Sequence, residues 1–163
     1  MNLSFRKATE ADIPLINQLA QKIWREHYPA IISFEQIEFM LLNRYSMRSI
    51  EEGMKQGENY FLAYNGSEAV AYASIEWKDN FYYLHKFYLD VSKHRSGIGK
   101  LFFDYLLSQI DATKSIKLQV NRTNYKAINF YFKVGFIIET VGDFDIGGGY
   151  FMNDFVMSFQ SPL

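Results

Sequence analysis

The sequence predicts a mixed α/β domain, and three observations predict it. Phe81 to Leu89 is a dense run of aromatic and aliphatic residues, which reads as a buried central strand. It passes through His94-Arg95-Ser96-Gly97-Ile98-Gly99-Lys100 into a segment where Ile98, Leu101, Phe102, Tyr105, Leu106 and Ile110 recur at helical spacing. A second strand-to-helix unit follows: Leu118-Gln119-Val120-Asn121 leads into a short helix that Gly135 stops.

The remaining elements follow in order. Leu3 to Lys7 is a short strand, after which Thr9 and Asp12 offer helix-start chemistry, with Pro14 tolerable in an opening turn. Ile13, Ile16, Leu19, Ala20, Ile23 and His27 trace one face of a helix that Tyr28-Pro29 breaks. Ser33 with Gln36 three residues later predicts a capping box for a second helix through Phe39, Met40 and Leu42. Met47 to Met54 reads as another short helix ending near Gly57. Tyr60 to Tyr64 and Val70 to Trp77 are strands joined at Asn65-Gly66, a hairpin signal, and Lys78-Asp79-Asn80 turns the chain into the Phe81 strand. Phe136 to Thr140 and Tyr150 to Phe159 read as closing strands, with Asp143 to Gly149 expected as a mobile glycine-rich loop between them.

Glycines between a strand and a helix let the backbone approach a ligand, and the free N–H groups of a first helical turn favour an anion. The guest expected at His94–Lys100 is therefore a phosphate or pyrophosphate. A dinucleotide fingerprint needs glycine or alanine where Phe102 stands. A Walker A loop needs glycine at His94 and Ser or Thr at Leu101. Neither nucleotide motif fits. What remains resembles the Arg/Gln-x-x-Gly-x-Gly/Ala loop with which the GNAT superfamily of N-acetyltransferases holds the pyrophosphate of coenzyme A. Asn124, Ala127, Phe130, Tyr131, Gly135 and Phe136 resemble that family's second coenzyme-binding block, in the expected order.

The resemblance is strongest from Leu84 to Phe136 and covers most of the chain in element order. It implies one domain over residues 1–163, with a mixed, mostly antiparallel central sheet, a splayed parallel strand pair, and about four flanking helices. The splayed strands would be Phe81–Leu89 and Ile116–Val120. By the same resemblance, the backbone of Leu89, Asp90 and Val91 meets the pantetheine and thioester of acetyl-CoA. The N–H groups across Arg95, Ser96, Gly97, Ile98, Gly99 and Lys100 would hold the pyrophosphate, with His94 standing where the family usually has Arg or Gln. Asn124 would contact the coenzyme arm, a role compatible with capping the helix that it opens.

The implied reaction is direct attack of a primary amine, of a small molecule or peptide, on the acetyl thioester. An alkylammonium has a pKa near ~10.4, so a proton must leave before the nitrogen can attack. Tyr131 matches the family's general acid for the departing thiolate; packing in the core of an amphipathic helix is its alternative reading. His85 and Glu76 compete for the role of base, which a water chain could fill instead, and a strand N–H near Leu89 would meet the oxyanion. Tyr28, Tyr45, Asp143 and Asp145 would form an aromatic, acidic mouth for a cationic amine. The same fold can also bind acyl-CoA as a sensor without turnover, or persist as an interaction module.

Bulk properties agree. The chain has 163 residues, 48% of them apolar, which supports one sizeable core. A net charge of −1 without a basic tract argues against nucleic acid as a partner. The absence of cysteine excludes disulfides, thiolate metal sites and an acetyl-cysteine intermediate, and no metal is expected. Met1 to Lys7 lacks a signal-peptide core and no apolar run approaches a membrane span, so a cytoplasmic protein without membrane contact is expected. The abundance of aromatic residues leaves room for a homodimer.

Overall fold

The computed structural model describes residues 1–160; Ser161 to Leu163, the end of the expected domain, lie outside them. The chain runs β1 (Leu3–Lys7), α1 (Ile13–His27), α2 (Phe34–Arg44), α3 (Met47–Gln56), β2 (Asn59–Asn65), β3 (Glu68–Lys78) and β4 (Phe81–Leu89). It continues through α4 (Ile98–Ser108), β5 (Ile116–Asn121), α5 (Tyr125–Val134), β6 (Ile137–Gly147) and β7 (Tyr150–Phe159). The strands form one seven-stranded sheet in the order β1-β2-β3-β4-β5-β7-β6. Every neighbouring pair is antiparallel except β4 and β5.

Local sequence sets the ends of these elements. Asp12 accepts from the Thr9 N–H at 2.8 Å and is gripped by Arg6, which fixes the entry to α1. Ser33 caps α2 by accepting from the Gln36 N–H, but only half of the expected box forms. The Gln36 amide instead donates to the Phe151 carbonyl on β7, a bond that ties α2 to the sheet. Gly57 and Gly135 close α3 and α5 at φ of 109°, a left-handed conformation that a side chain would strain.

The sheet separates two apolar layers. On one side α4 and α5 bury Ile98, Phe102, Phe103, Leu106, Ile128 and Tyr131 against Leu84, Leu118, Met157 and Phe159. On the other, α1, α2 and α3 bury Ile16, Ile23, Trp24, Ile37 and Ile50 against Tyr60, Leu62 and Tyr72. Phe103, not Leu101, completes the α4 stripe; Leu101 is 47% exposed, because the buried face of this helix is centred one residue further on than the spacing suggests. Among the described residues, five α-helices flank the sheet.

One expectation fails outright. Asp143 to Gly147 are not loop: they extend β6 and pair with Tyr150 to Asn153 of β7. The turn shrinks to Gly148-Gly149, both at positive φ. Glycine richness signals a turn, but strand pairing uses only backbone groups, so it proceeds up to the point where the chain must reverse. Phe39 of α2 packs so closely on this turn that a Cβ at Gly148 would come within 2.7 Å of its ring.

Candidate active site

A cleft opens where β4 and β5 part. The two strands pair only at Tyr82↔Ile116 and Tyr83↔Lys117. Beyond those residues β5 follows β7 up to Asn121↔Asp154, while β4 stays on β3 up to Ala71↔Leu89. The Asp90 N–H donates to the Val70 carbonyl at 2.8 Å, toward β3. By the alternation of a strand, the Leu89 N–H and C=O therefore face the opening. His85 is the extra residue of a bulge in β4, opposite the step from Ser74 to Ile75.

The loop at the mouth of this cleft leaves several backbone donors unpaired. After a short 3-10 turn at Val91–Lys93, Arg95 sits at φ +63° and Gly97 at φ +84°, which turns the backbone so that α4 begins at Ile98. Among the described residues, the N–H groups of Arg95, Gly97, Gly99 and Lys100 have no protein partner. Nothing lies within 4 Å of where a Gly97 Cβ would stand, whereas a Cβ on Gly99 would meet Phe130 at 3.2 Å. So the first glycine leaves space and a permissive backbone, and the second lets α4 pack on α5. The Arg95 side chain is exposed, while the Lys100 ammonium pairs with Asp104 one turn on at 2.6 Å. The Ser96 hydroxyl is turned inward to the Lys93 carbonyl at 2.5 Å.

Asp90 departs from expectation. Its N–H belongs to the sheet, and its buried carboxylate accepts from Lys22 at 2.6 Å and from the Ser92 N–H and hydroxyl. The Lys22 ammonium and the Ser92 donors hold that carboxyl below the ordinary range in spite of burial. Asp90 thus anchors the loop to α1 instead of offering a free donor. Leu89 and Val91 flank it, and His94 folds back so that its Nε2 donates to the Leu89 carbonyl at 3.1 Å. Across the opening, the His27 Nε2 lies 3.1 Å from the Asn124 Oδ1 and its ring meets His94 edge-on. Asn124 is buried and also caps α5 through the Ala127 N–H. Tyr131, further along α5, packs between Phe130 and Phe136. Burial pushes its phenol well above the ordinary value.

The opposite face of the sheet carries most of the remaining chemistry. His85 and Glu76, read as rivals in the sequence, are joined: Nε2 lies 2.7 Å from Oε2, and Lys78 holds the other carboxylate oxygen. Burial lowers the His85 pKa, opposed by the charges of Glu58 and Glu76. Lys86 and Glu58 form a second pair at 3.1 Å, with the ammonium 5.4 Å above the rings of Tyr45 and Tyr60. Tyr28 and Tyr45 are not a surface mouth; both are buried, with the Tyr45 hydroxyl bonded to that of Tyr88 at 2.8 Å. Burial raises the Tyr28 phenol, with Tyr88, Tyr131 and Asp154 adding to the shift, and the Tyr28 ring lies 6.4 Å from that of Tyr88.

Nor do Asp143 and Asp145 face inward. Asp143 is bonded to Arg122 at 2.6 Å, and Asp145 accepts from the Gly147 N–H to shape the hairpin end. The acid that does point inward is Asp154 of β7. It is 2% exposed, its Oδ1 has no hydrogen-bond partner among the described residues, and burial raises its pKa from 3.8 to about 6.

Sequence comparison agrees with this architecture. The family model described as Acetyltransferase (GNAT) domain matches residues 30–143, well over half of the chain. The chain belongs to the GNAT acetyltransferase family. A spermidine N(1)-acetyltransferase from Thermoplasma acidophilum is 24% identical, with 85% of this chain and 91% of that protein aligned. The PaiA N-acetyltransferase of the same organism, solved in complex with coenzyme A, superposes at a TM-score of 0.80 and 22% identity over 99% of this chain and all of that one. A GCN5-related N-acetyltransferase from Rhodopseudomonas palustris gives 0.81 and 15%, covering 99% and 97%.

Within this GNAT fold the structure gathers Leu89, Val91, the His94–Lys100 loop and Asn124 around the opening between β4 and β5. Tyr131 lies beneath them, and His85 with Glu76 lies further down β4. Sequence reasoning missed His27, Tyr88, Lys86 with Glu58, and Asp154. Asp154 left a signal, a lone acid inside the apolar run Phe151 to Phe159, as did Lys86, a lone lysine inside the apolar run Phe81 to Leu89. No group of three or more His, Asp or Glu able to hold a metal occurs among the described residues, and no helix there is long and apolar enough to cross a membrane.

Proposed function

We propose that this GNAT protein is an acetyl-CoA-dependent N-acetyltransferase acting on a primary amine of a small molecule or peptide. The observation that carries the reading is the unpartnered N–H cradle at Arg95, Gly97, Gly99 and Lys100, at the mouth of the β4–β5 opening. Four backbone donors at a helix start suit a pyrophosphate, and the exposed Arg95 adds the charge. Bound acetyl-CoA supplies the electrophile, an activated thioester. The Leu89 N–H, directed into the opening, is the donor for the developing oxyanion. Tyr131 is the acid for the departing thiolate, and because a thiol pKa is about 8.5 that help is modest. His85, kept largely neutral by burial and oriented by Glu76, is the acceptor for the amine proton. The spermidine N(1)-acetyltransferase of T. acidophilum makes a polyamine the first acceptor to try.

The test is a thermal shift with acetyl-CoA, followed by thiol release with spermidine and other primary amines. Ligand at about 100 times its dissociation constant stabilises the native state by about 2.7 kcal/mol, a clear rise in melting temperature. No shift at saturating acetyl-CoA overturns the reading. A shift without transfer to any amine replaces it with a non-catalytic acyl-CoA sensor.

A further inference from the structure

The acids on the acceptor face of the sheet are partnered, with one exception. Glu58 is held by Lys86 and Ser74, Glu76 by His85 and Lys78, and Asp90 by Lys22 and Ser92. Asp154 is as buried as Asp90, yet its Oδ1 is shielded from solvent and accepts nothing among the described residues. A buried carboxylate without a donor is costly, so it calls for an explanation outside the resting protein.

Its surroundings supply one. Asp154 ends the β5–β7 ladder opposite Asn121, where β4 has already left β5. It shares a sheet face with Met152, which packs into the α1–α2 layer. Tyr28, arriving from the end of α1, and Tyr83 on β4 both feel its charge. The ring of Tyr83 lies 4.7 Å from that of His85, so the carboxylate and His85 flank one tyrosine. The charged side chain that acts on Asp154 is Arg122, and Asp143 of β6 holds the Arg122 guanidinium by a 2.6 Å bond. What results is a buried carboxylate, unpartnered at Oδ1 among the described residues and within electrostatic reach of Tyr28 and Tyr83, with its nearby cation engaged elsewhere. That is a receptor for an ammonium.

We infer that Asp154 receives a positive charge of the acceptor amine and so determines specificity for cationic amines. A polyamine meets this requirement, with one nitrogen at Asp154 and another free to react. This inference rests on reading the cleft as the acceptor side of an acetyltransferase.

The experiment is calorimetric titration of spermidine into coenzyme A-saturated wild type and Asp154→Asn, joined to NMR titration of the Asp154 carboxyl in the wild type. The expected result is at least tenfold weaker spermidine binding in the variant, with coenzyme A binding unchanged. Adding spermidine should also move the carboxyl titration to lower pH, a response that a merely structural acid would not give. Spermidine affinity unchanged in the variant, or a carboxyl titration that spermidine leaves in place, overturns the inference. The acetyltransferase reading fails separately, through a wild type that acetyl-CoA does not stabilise.

Discussion

Replacing Asp154 by Asn removes the charge while keeping the shape, and its effect on the ligand-free protein can be worked from the structure. Burial raises the Asp154 carboxyl from 3.8 to about 6, against a weaker opposing effect of Arg122. The folded protein therefore holds this proton more tightly than the unfolded chain does. Stability is full below the lower value and falls as pH rises through that window. At 1.36 kcal/mol per pH unit, the loss is about 3 kcal/mol at about pH 8 and roughly half of that at about pH 5. Asn has no charge to bury, so the variant should be the more stable protein, by that amount, in alkaline buffer. For a chain of this size the gain corresponds to roughly 6–12 °C in melting temperature. Urea unfolding of both proteins at the two pH values measures it, because the difference between them isolates the titration. A variant less stable than wild type at alkaline pH, or a gain equal at both, would refute the claim that Asp154 is an unpaired buried charge.

Two further outcomes address the chemistry. Tyr131→Phe should slow turnover by up to ~10²-fold while acetyl-CoA affinity stays within about twofold, and unchanged turnover would remove the phenol from the mechanism. Because burial holds His85 below its ordinary 6.5, activity in the wild type should fall only on the acid side of that value. His85→Ala should abolish that acidic limb of the pH–rate profile, and an identical profile would assign the proton to another group.

Local rules made most of the fold legible. The helix start at Ser33, the stops at Gly57 and Gly135, and the Asn65-Gly66 hairpin each depend on a few adjacent residues. The glycine loop was readable for the same reason, since φ > 0 at Gly97 and the N–H groups beyond it are local properties. What stayed hidden depends on long-range pairing. β6 runs to Gly147 only because β7 lies beside it, and Asp143 is neutralised by Arg122, 21 residues away. Asp90 could be placed at the end of β4 from sequence, but its carboxylate is directed by Lys22, 68 residues earlier. His85 and Glu76 were both visible as candidates; that they share one hydrogen bond follows from the antiparallel β3–β4 register and the bulge at His85.

The position of Asp154 follows from the same topology. β7 inserts between β5 and β6, so its backbone is pinned on both sides, Asp154 opposite Asn121 and Gly142. Side chains alternate along the strand: Phe155, Met157 and Phe159 pack toward α4 and α5, so Asp154 must point to the α1 side. Its backbone is held by both neighbouring strands and its side chain is buried, unlike an acid on the hairpin tip. Arg122 could relieve it, but the Arg122 backbone N–H is fixed to the Asn153 carbonyl and its guanidinium is engaged by Asp143. A sequence selected for stability alone would place an apolar residue or Asn at this site, as the other inward positions of β7 show with Met152 and Val156. An arrangement that keeps a carboxylate buried, rigid and away from its neighbouring cation is one in which a cation brought by a ligand completes the site.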